Sequence, residues 1–163
     1  MKEILLFAAV ALFFLSCQKE ISHKEINDNV AEKGATVVTA TLTSGAWTFT
    51  GVVLEYGPGE KEEGTLDECK SDDLYQYESN GYATVKHGSV PCSVDPEDGN
   101  YASWELLTQG KQLKEVYTRD LNGENAGTVV LYDIDFLSTT KLIISRTISE
   151  PGKTYKEYDT YTR

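Results

Sequence analysis

The residues best placed to do chemistry are two of the three cysteines in the chain. Cys69 and Cys92 enclose two segments of alternating character joined by Asn80-Gly81, a dipeptide typical of tight β-hairpin turns. We therefore predict a disulfide between Cys69 and Cys92 that staples a hairpin and forms in an oxidising compartment. Zinc is the alternative partner for cysteine, but it prefers closely spaced pairs of ligands, which these two single cysteines do not provide.

Motifs for enzyme chemistry are missing from the chain. It has no G-x-S-x-G, H-E-x-x-H, P-loop or dinucleotide-binding glycine pattern. His23 and His87 stand alone and are expected to be solvated. Asp133 and Asp135 could form an acid/base pair, but their alternation with aromatic residues places them on the outer face of a strand. We predict a protein that is not an enzyme and carries no cofactor.

An acidic stretch before the hairpin is the remaining candidate for a metal site. Asp72 and Asp73, with Asp67 and Glu68, could supply the several oxygen ligands that calcium needs. Acidic residues beside strands also keep a surface soluble and prevent association between sheet edges, which is the interpretation we favour. We predict no metal site.

The elements that would position these residues are short strands. From residue 42 onward, polar and apolar residues alternate with a period of two, and Gly, Pro and Asn mark the turns. This pattern predicts no helix, an acidic loop over residues 60–68, and eight strands over residues 47–56, 73–78, 82–87, 101–107, 112–119, 128–137, 140–148 and 154–163. Eight consecutive antiparallel strands close best into an up-and-down β-barrel, which leaves no free sheet edge, so we predict an all-β fold with one disulfide. A two-sheet sandwich is the alternative.

A barrel of this size is either filled by its own side chains or holds one small ligand. The alternation predicts an interior rich in aromatic rings, whose surfaces and hydroxyls suit a small hydrophobic or amphipathic molecule. A shift of one residue in any strand would exchange its inward residues for their neighbours. The residues expected to face the interior are Trp47, Phe49, Tyr75, Tyr77, Tyr82, Trp104, Leu106, Val116, Tyr132, Ile134, Phe136, Leu142, Ile144 and Tyr158.

The composition argues against some partners. The formal net charge is −11, from 15 Lys and Arg against 26 Asp and Glu. Binding of nucleic acid needs a clustered cationic surface, and anionic lipid head groups attract basic segments, so neither is an expected partner. Hydrophobic residues make up 40% of the chain, which suffices for one core, and we expect a monomer.

The N-terminus resembles the leader of a bacterial lipoprotein. Lys2 precedes an unbroken apolar run over residues 4–15, which is shorter than the about 20 residues that span a bilayer. The run ends in Leu15-Ser16-Cys17, which resembles a lipobox, whose cysteine is acylated and becomes the new N-terminus. Lipidation of Cys17 would also account for the odd cysteine.

These features predict three regions: a signal peptide over residues 1–16, a lipidated Cys17 with a polar tether over residues 17–41, and a barrel domain over residues 42–163. Lys19 and Glu20 resemble the charged signals that send some lipoproteins of Gram-negative bacteria to the cell surface. We therefore expect an outer-membrane lipoprotein of the cell envelope, held to the membrane by the acyl chains on Cys17.

Gly45-x-Trp47 resembles the G-x-W signature of lipocalins, and a longer set of residues is similar to the bacterial lipocalin-like domain family of secreted lipoproteins. That set covers residues 42–148 and adds Cys69-x-x-Asp72-Asp73, Asn80-Gly81, Gly88, Cys92, Trp104, Gly110-Lys111-Gln112-Leu113, Tyr132-x-Ile134-x-x-Leu137 and Leu142-x-Ile144.

The resemblance implies a calycin-type barrel in which Trp47 packs across the closed end beneath an arginine from a late strand. Arg146 and Arg163 are the candidates for that arginine, and Arg146 is expected because it shares a strand face with Leu142 and Ile144. The function we expect is non-covalent sequestration of a small hydrophobic or amphipathic molecule at the cell envelope. The alternative is a solid barrel that serves as a protein- or glycan-interaction module.

Overall fold

The fold is described by a computed structural model that covers residues 34–90, 92, 97–121 and 123–163. The predicted signal peptide, the lipidated Cys17 and most of the predicted tether lie outside these residues. The strands are β1 Trp47–Gly57, β2 Glu60–Glu63, β3 Leu74–Tyr77, β4 Tyr82–Lys86, β5 Gly99–Leu107, β6 Gln112–Tyr117, β7 Val129–Leu137, β8 Lys141–Glu150 and β9 Lys153–Thr162. The helical elements are α1 over residues 34–42, α2 Glu68–Ser71 and a 3-10 turn Thr108–Gly110.

Eight of the described strands form a closed antiparallel barrel. Strands β3 to β9 pair with their sequence neighbours in order, and β1 pairs with both β3 and β9. Thr48 of β1 marks the closure, because it lies opposite Leu74 of β3 and Thr162 of β9. The predicted up-and-down barrel is therefore confirmed, and the two-sheet sandwich is wrong.

Strand β2 was not predicted. The first part of the expected acidic loop, Glu60–Glu63, folds back on the end of β1 and places Glu63 opposite Val53. The tight turn between the two strands uses Gly59 at φ 82°, a conformation that side chains other than Gly rarely adopt. All four residues of β2 are exposed, which explains why their sequence carries no apolar signal.

The stapled hairpin is confirmed. Strands β3 and β4 pair in register, with Gly81 at φ 86° in the turn and the Asn80 side chain accepting a hydrogen bond from the Tyr82 N–H at 3.0 Å. Cys69 and Cys92 form a disulfide with their Cα atoms 5.2 Å apart. Because Cys69 lies in α2 and Cys92 follows β4, the disulfide ties the segments on either side of the hairpin together.

Helix α1 corrects two predictions, the absence of helices and the extent of the tether. Residues 34–41, assigned to a solvated tether, belong to α1, and Val38 and Leu42 are fully buried one helical turn apart. The sequence pattern did not predict this helix because α1 is rich in β-branched residues, which have low helix propensity. Within the helix, the side-chain hydroxyls of Thr39 and Thr41 donate hydrogen bonds to the backbone carbonyls four residues earlier, at 2.9 and 2.8 Å.

The contact between α1 and the barrel depends on Gly110. A Cβ at this position would lie 3.1 Å from the Ala35 Cα and 3.2 Å from a Val38 methyl group, and the backbone has φ 89°. The 3-10 turn can therefore approach α1 closely only with glycine there. None of the helices in the described ranges is long and apolar enough to cross a bilayer.

Candidate functional site

The barrel interior contains a cavity of about 190 Å³. Alternate residues of β9 line one wall, since Glu157, Asp159 and Tyr161 all face it. Further residues come from β1, β3, β6, β7, β8, α2 and the loops at the end of the barrel opposite α1. The remaining lining residues are Phe49, Val52, Thr65, Asp67, Lys70, Tyr75, Tyr117, Glu124, Tyr132 and Arg146.

Aromatic rings form the apolar part of the wall. Tyr161 stands between two of them, with its ring centroid 5.3 Å from that of Phe49 and 5.8 Å from that of Tyr75. The Tyr75 ring also meets Tyr101 edge to face at 6.1 Å, and Tyr101 lies 5.6 Å from Tyr117. These distances are those of favourable aromatic pairs, so the rings hold one another in place and keep the cavity walls fixed.

A buried carboxyl lies among the phenols beneath the cavity. Glu115 accepts hydrogen bonds from the hydroxyls of Tyr77 at 2.8 Å and Tyr101 at 3.2 Å. Burial raises the pKa of Glu115, and the hydrogen bonds from the tyrosines oppose that rise. Burial also raises the pKa of Tyr77 and Tyr101, so both phenols remain donors at any physiological pH.

The cation inside the barrel is neutralised by the protein itself. Arg146 donates from Nη1 to Glu124 at 2.7 Å and from Nε to Glu157 at 2.9 Å, and its guanidinium lies 5.8 Å from the Tyr132 ring centroid. Burial alone would lower the pKa of Arg146, but Tyr132 and the two carboxylates raise it, so the guanidinium stays charged. Two carboxylates on one guanidinium leave no net positive charge for a ligand.

Asp159 differs from the other charged groups of the cavity. Within the described part of the chain, no hydrogen bond or ion pair joins its carboxylate to another side chain, although it is partly buried and lines the cavity. Burial raises the pKa of Asp159 to about 7, with repulsion from Glu157 adding to the rise and Arg146 opposing it. At the cavity mouth, Lys70 is engaged by Asp67 at 3.1 Å.

The residues predicted to face the interior divide into three groups. Phe49, Tyr75 and Tyr132 line the cavity. Others belong to or pack against the core below it; these are Trp47, Tyr77, Trp104, Leu106, Ile134, Leu142 and Ile144. The last group does not face the interior and consists of Tyr82, Val116, Phe136 and Tyr158.

Two of these four corrections arise from strand phase. Strand β6 turns Leu113, Glu115 and Tyr117 inward, so Val116 lies on the outer face beside the exposed Val129. The sequence pattern favoured the wrong face of β6 because a charged residue, Glu115, occupies the central inward position. In β7, a bulge between Ile134 and Phe136 shifts the alternation. Leu137 then enters the core in place of Phe136.

The other two residues that were wrongly predicted to face the interior are tyrosines whose rings lie on the outside of the barrel. Tyr82 is 44% exposed. Tyr158 lies opposite Val53 on the outer face of β9, where its hydroxyl donates to Glu55 at 2.7 Å and the Lys156 ammonium lies 5.1 Å from its ring centroid. Neighbouring side chains on the outer face cover Tyr158, so its ring is buried although it does not lie in the barrel interior.

The predicted barrel-closing pair of Trp47 and Arg146 is wrong in its arginine. The Arg163 guanidinium stacks over the fully buried Trp47 ring, 3.7 Å from its centroid. It also donates to the carbonyls of Thr41 at 2.8 Å and Thr139 at 2.6 Å. Arg146 shares the inward face of β8 as expected, but it sits far enough along that strand to meet the cavity carboxylates instead.

Groups considered for catalysis or calcium binding have structural partners. Asp133 is exposed, and Asp135 is buried and accepts a hydrogen bond from Ser145. Asp73 is fully buried, where it accepts from the Gly88 N–H at 2.9 Å and lies 3.1 Å from the His87 ring.

The neighbouring Asp72 accepts two hydrogen bonds from Ser89, at 2.6 Å from its N–H and at 3.0 Å from its hydroxyl. No group of three or more candidate metal ligands occurs within the described residues.

The fold therefore defines a closed barrel of eight antiparallel strands in up-and-down order, which is consistent with a calycin-like fold. Its interior holds a cavity with aromatic walls and fixed charges. No protein-family model matches the chain, and no curated protein matches it significantly.

Proposed function

We propose that this protein binds a small amphipathic molecule in the barrel cavity and holds it without chemical change. The cavity of about 190 Å³ carries this proposal. An apolar cavity of about 150 Å³ is known to admit a benzene ring, so the space here suits a ligand of about one ring with a short substituent. Mutually packed aromatic rings supply contact area, and phenols and charged groups fix the orientation of the ligand.

The lining residues also favour binding over catalysis. Among the described residues that line the cavity there is no cysteine, histidine or serine to act as a nucleophile or base. The Arg146 guanidinium is held by two carboxylates, and the Glu115 carboxylate is held by tyrosine hydroxyls. Fixed partners of this kind hold Arg146 and Glu115 in place to recognise a ligand, whereas Asp159 has no such partner among the described residues and can pair with a ligand.

Binding can be tested with a single-ring, environment-sensitive apolar dye, which the cavity can hold, and the chain from residue 18 onward, which retains every described element. We expect saturable binding of one dye per protein. Tyr132→Trp, which puts a larger ring into the cavity, should weaken it at least tenfold. Tyr82→Trp is the matched control, because the same substitution at an exposed ring should leave binding unchanged. Absence of saturable binding would contradict the proposal and favour the solid interaction module.

We propose further that acyl chains on Cys17 anchor the barrel to the outer membrane of a Gram-negative-type cell envelope. Support comes from the lipobox-like residues of the sequence and from the Cys69–Cys92 disulfide, which requires an oxidising compartment. Cys17→Ala should move the protein from the membrane fraction to the soluble fraction. If the variant still sediments with membranes, the lipid anchor is wrong.

A further inference from the structure

The charged groups of the cavity do not balance. Four carboxylates and two cations from the described part of the chain line it. The pairs Lys70–Asp67 and Arg146–Glu157 satisfy both cations, and Glu124 adds a second carboxylate to the guanidinium. With Asp159 ionised, two negative charges remain in excess. The excess favours a ligand that brings positive charge.

Asp159 is the group that faces such a ligand. It lies on β9 between two other residues that line the cavity, and no ion pair or hydrogen bond within the described residues occupies it. A partly buried carboxylate without a partner carries a desolvation cost that an incoming cation would offset. An anionic ligand would meet Asp159 and Glu157 as like charges, and both cations that line the cavity among the described residues are already paired.

The aromatic walls distinguish an organic cation from a metal ion. The Tyr161 ring packs against Phe49 at 5.3 Å and against Tyr75 at 5.8 Å, and Tyr132 lines the same cavity. Ring faces attract ammonium groups and pack against apolar ligand atoms. A hard metal ion needs several oxygen ligands at one point, and the described residues hold no such group.

We propose that the cavity takes a small organic amine, a single ring with a short protonated aminoalkyl chain, whose ammonium pairs with Asp159 while its ring packs against the aromatic walls. This inference rests on the proposed function, since it names the class of ligand that the cavity binds.

Three probes that share the 2-phenylethyl group test the inference by isothermal titration calorimetry: 2-phenylethylamine, 2-phenylethanol and 3-phenylpropionate. The full-length protein is used in a non-ionic detergent, with empty micelles as the blank, at about pH 8, where Asp159 is ionised and the amine is still protonated. We expect the amine to bind at least about tenfold more tightly than the alcohol, because a hydrogen bond to a charged group is worth at least that much. The anion should show no measurable binding.

Two variants assign the preference to Asp159. Asp159→Asn should weaken amine binding about tenfold and leave the affinity for the alcohol unchanged, because only the charge is removed. Asp133→Asn is the matched control: this carboxylate is exposed on the outer face, so neither affinity should change.

The outcomes separate this inference from the proposed function. Equal binding of amine and alcohol, or tightest binding of the anion, would overturn the inference and leave the binding function standing. The same holds if the dye binds in the cavity but none of the three probes does. If neither the dye nor any probe binds, the proposed function fails and the inference fails with it. Loss of the preference in Asp133→Asn, and not in Asp159→Asn, would overturn the assignment to Asp159.

Discussion

Replacing Asp159 with Asn should change how the stability of the barrel depends on pH. The cavity wall raises the pKa of Asp159 from an ordinary 3.8 to about 7, mainly through burial and secondly through the charge on Glu157. In the unfolded chain the carboxyl is exposed to water and returns to its ordinary pKa. The folded state therefore binds this proton more tightly than the unfolded chain does.

The sign and size follow from proton linkage. The contribution of Asp159 to stability is fully present below about pH 3.8 and is lost as the pH rises through about 7. A pKa difference of about three pH units corresponds to about 4 kcal/mol, and water entering the cavity makes this an upper value. Asn has the shape of the protonated carboxyl and cannot ionise, so Asp159→Asn should be progressively more stable than the wild type across this window.

The assay is urea unfolding at several pH values, followed by tryptophan fluorescence of wild type and variant. Other titratable or charged groups act on Asp159, but they are present in both proteins and largely cancel in the difference. Those groups are Glu157, Arg146, Glu115, Lys70, Tyr132 and Tyr161. Carboxyl-carbon NMR would give the pKa of Asp159 directly.

Two measurements could contradict a raised pKa at Asp159. A stability difference between wild type and Asp159→Asn that varies by less than about 1 kcal/mol over the window would mean that burial does not perturb this carboxyl. An NMR titration midpoint below about 5 would say the same. Asp133→Asn serves as the comparison, because it is the same substitution at an exposed carboxylate that lies outside the cavity.

Three further predictions concern stability and are checked by thermal and urea unfolding. Arg163→Ala should lower the free energy of unfolding by about 2 kcal/mol, because it removes the stack over the indole ring and the hydrogen bonds to three carbonyls. Arg163→Lys should recover only part of that stability. A decrease below about 0.5 kcal/mol in Arg163→Ala would contradict the role of Arg163 at the closed end. Gly110→Ala should lower the free energy of unfolding by about 2–4 kcal/mol, because of the positive φ of Gly110 and its contact with α1. Gly152→Ala is the control, with a similar φ but open space around the added methyl group, and should lower it by only about 1–2 kcal/mol. Equal decreases would mean that the α1 contact does not restrict position 110. Reduction of the Cys69–Cys92 disulfide should lower the free energy of unfolding by about 3 kcal/mol. Thiol labelling of the denatured, unreduced protein should modify neither Cys69 nor Cys92, and labelling of either would contradict the disulfide.

Local patterns were sufficient to predict the barrel. Alternation places strands where one face is buried, and turn residues such as Asn80-Gly81 separate them. All eight predicted strands occur, and the stapled hairpin pairs in register. These properties depend on neighbours within a few residues, so the sequence carries them directly. The disulfide was also predictable, because the turn brings together the two segments that hold its cysteines.

The interior was less predictable, because several inward residues have polar types. Glu115 occupies an inward position only because Tyr77 and Tyr101, from distant strands, donate hydrogen bonds to it. Glu157 and Asp159 likewise face inward on β9, where the pattern of aromatic residues favoured Tyr158. A sequence assigns such residues to solvent unless the partners that compensate their burial are known.

The eight barrel strands, their order and the disulfide could be predicted from the amino-acid sequence, since they follow from alternation, turn chemistry and the position of two cysteines, whereas the exposed strand β2 could not. Four features required the three-dimensional structure: the arginine that covers Trp47, the β7 bulge that exchanges Phe136 for Leu137, the packing of α1 against the barrel and the charged lining of the cavity. The physical reason is that these outcomes depend on contacts between residues far apart in the chain, whose energies outweigh local preference.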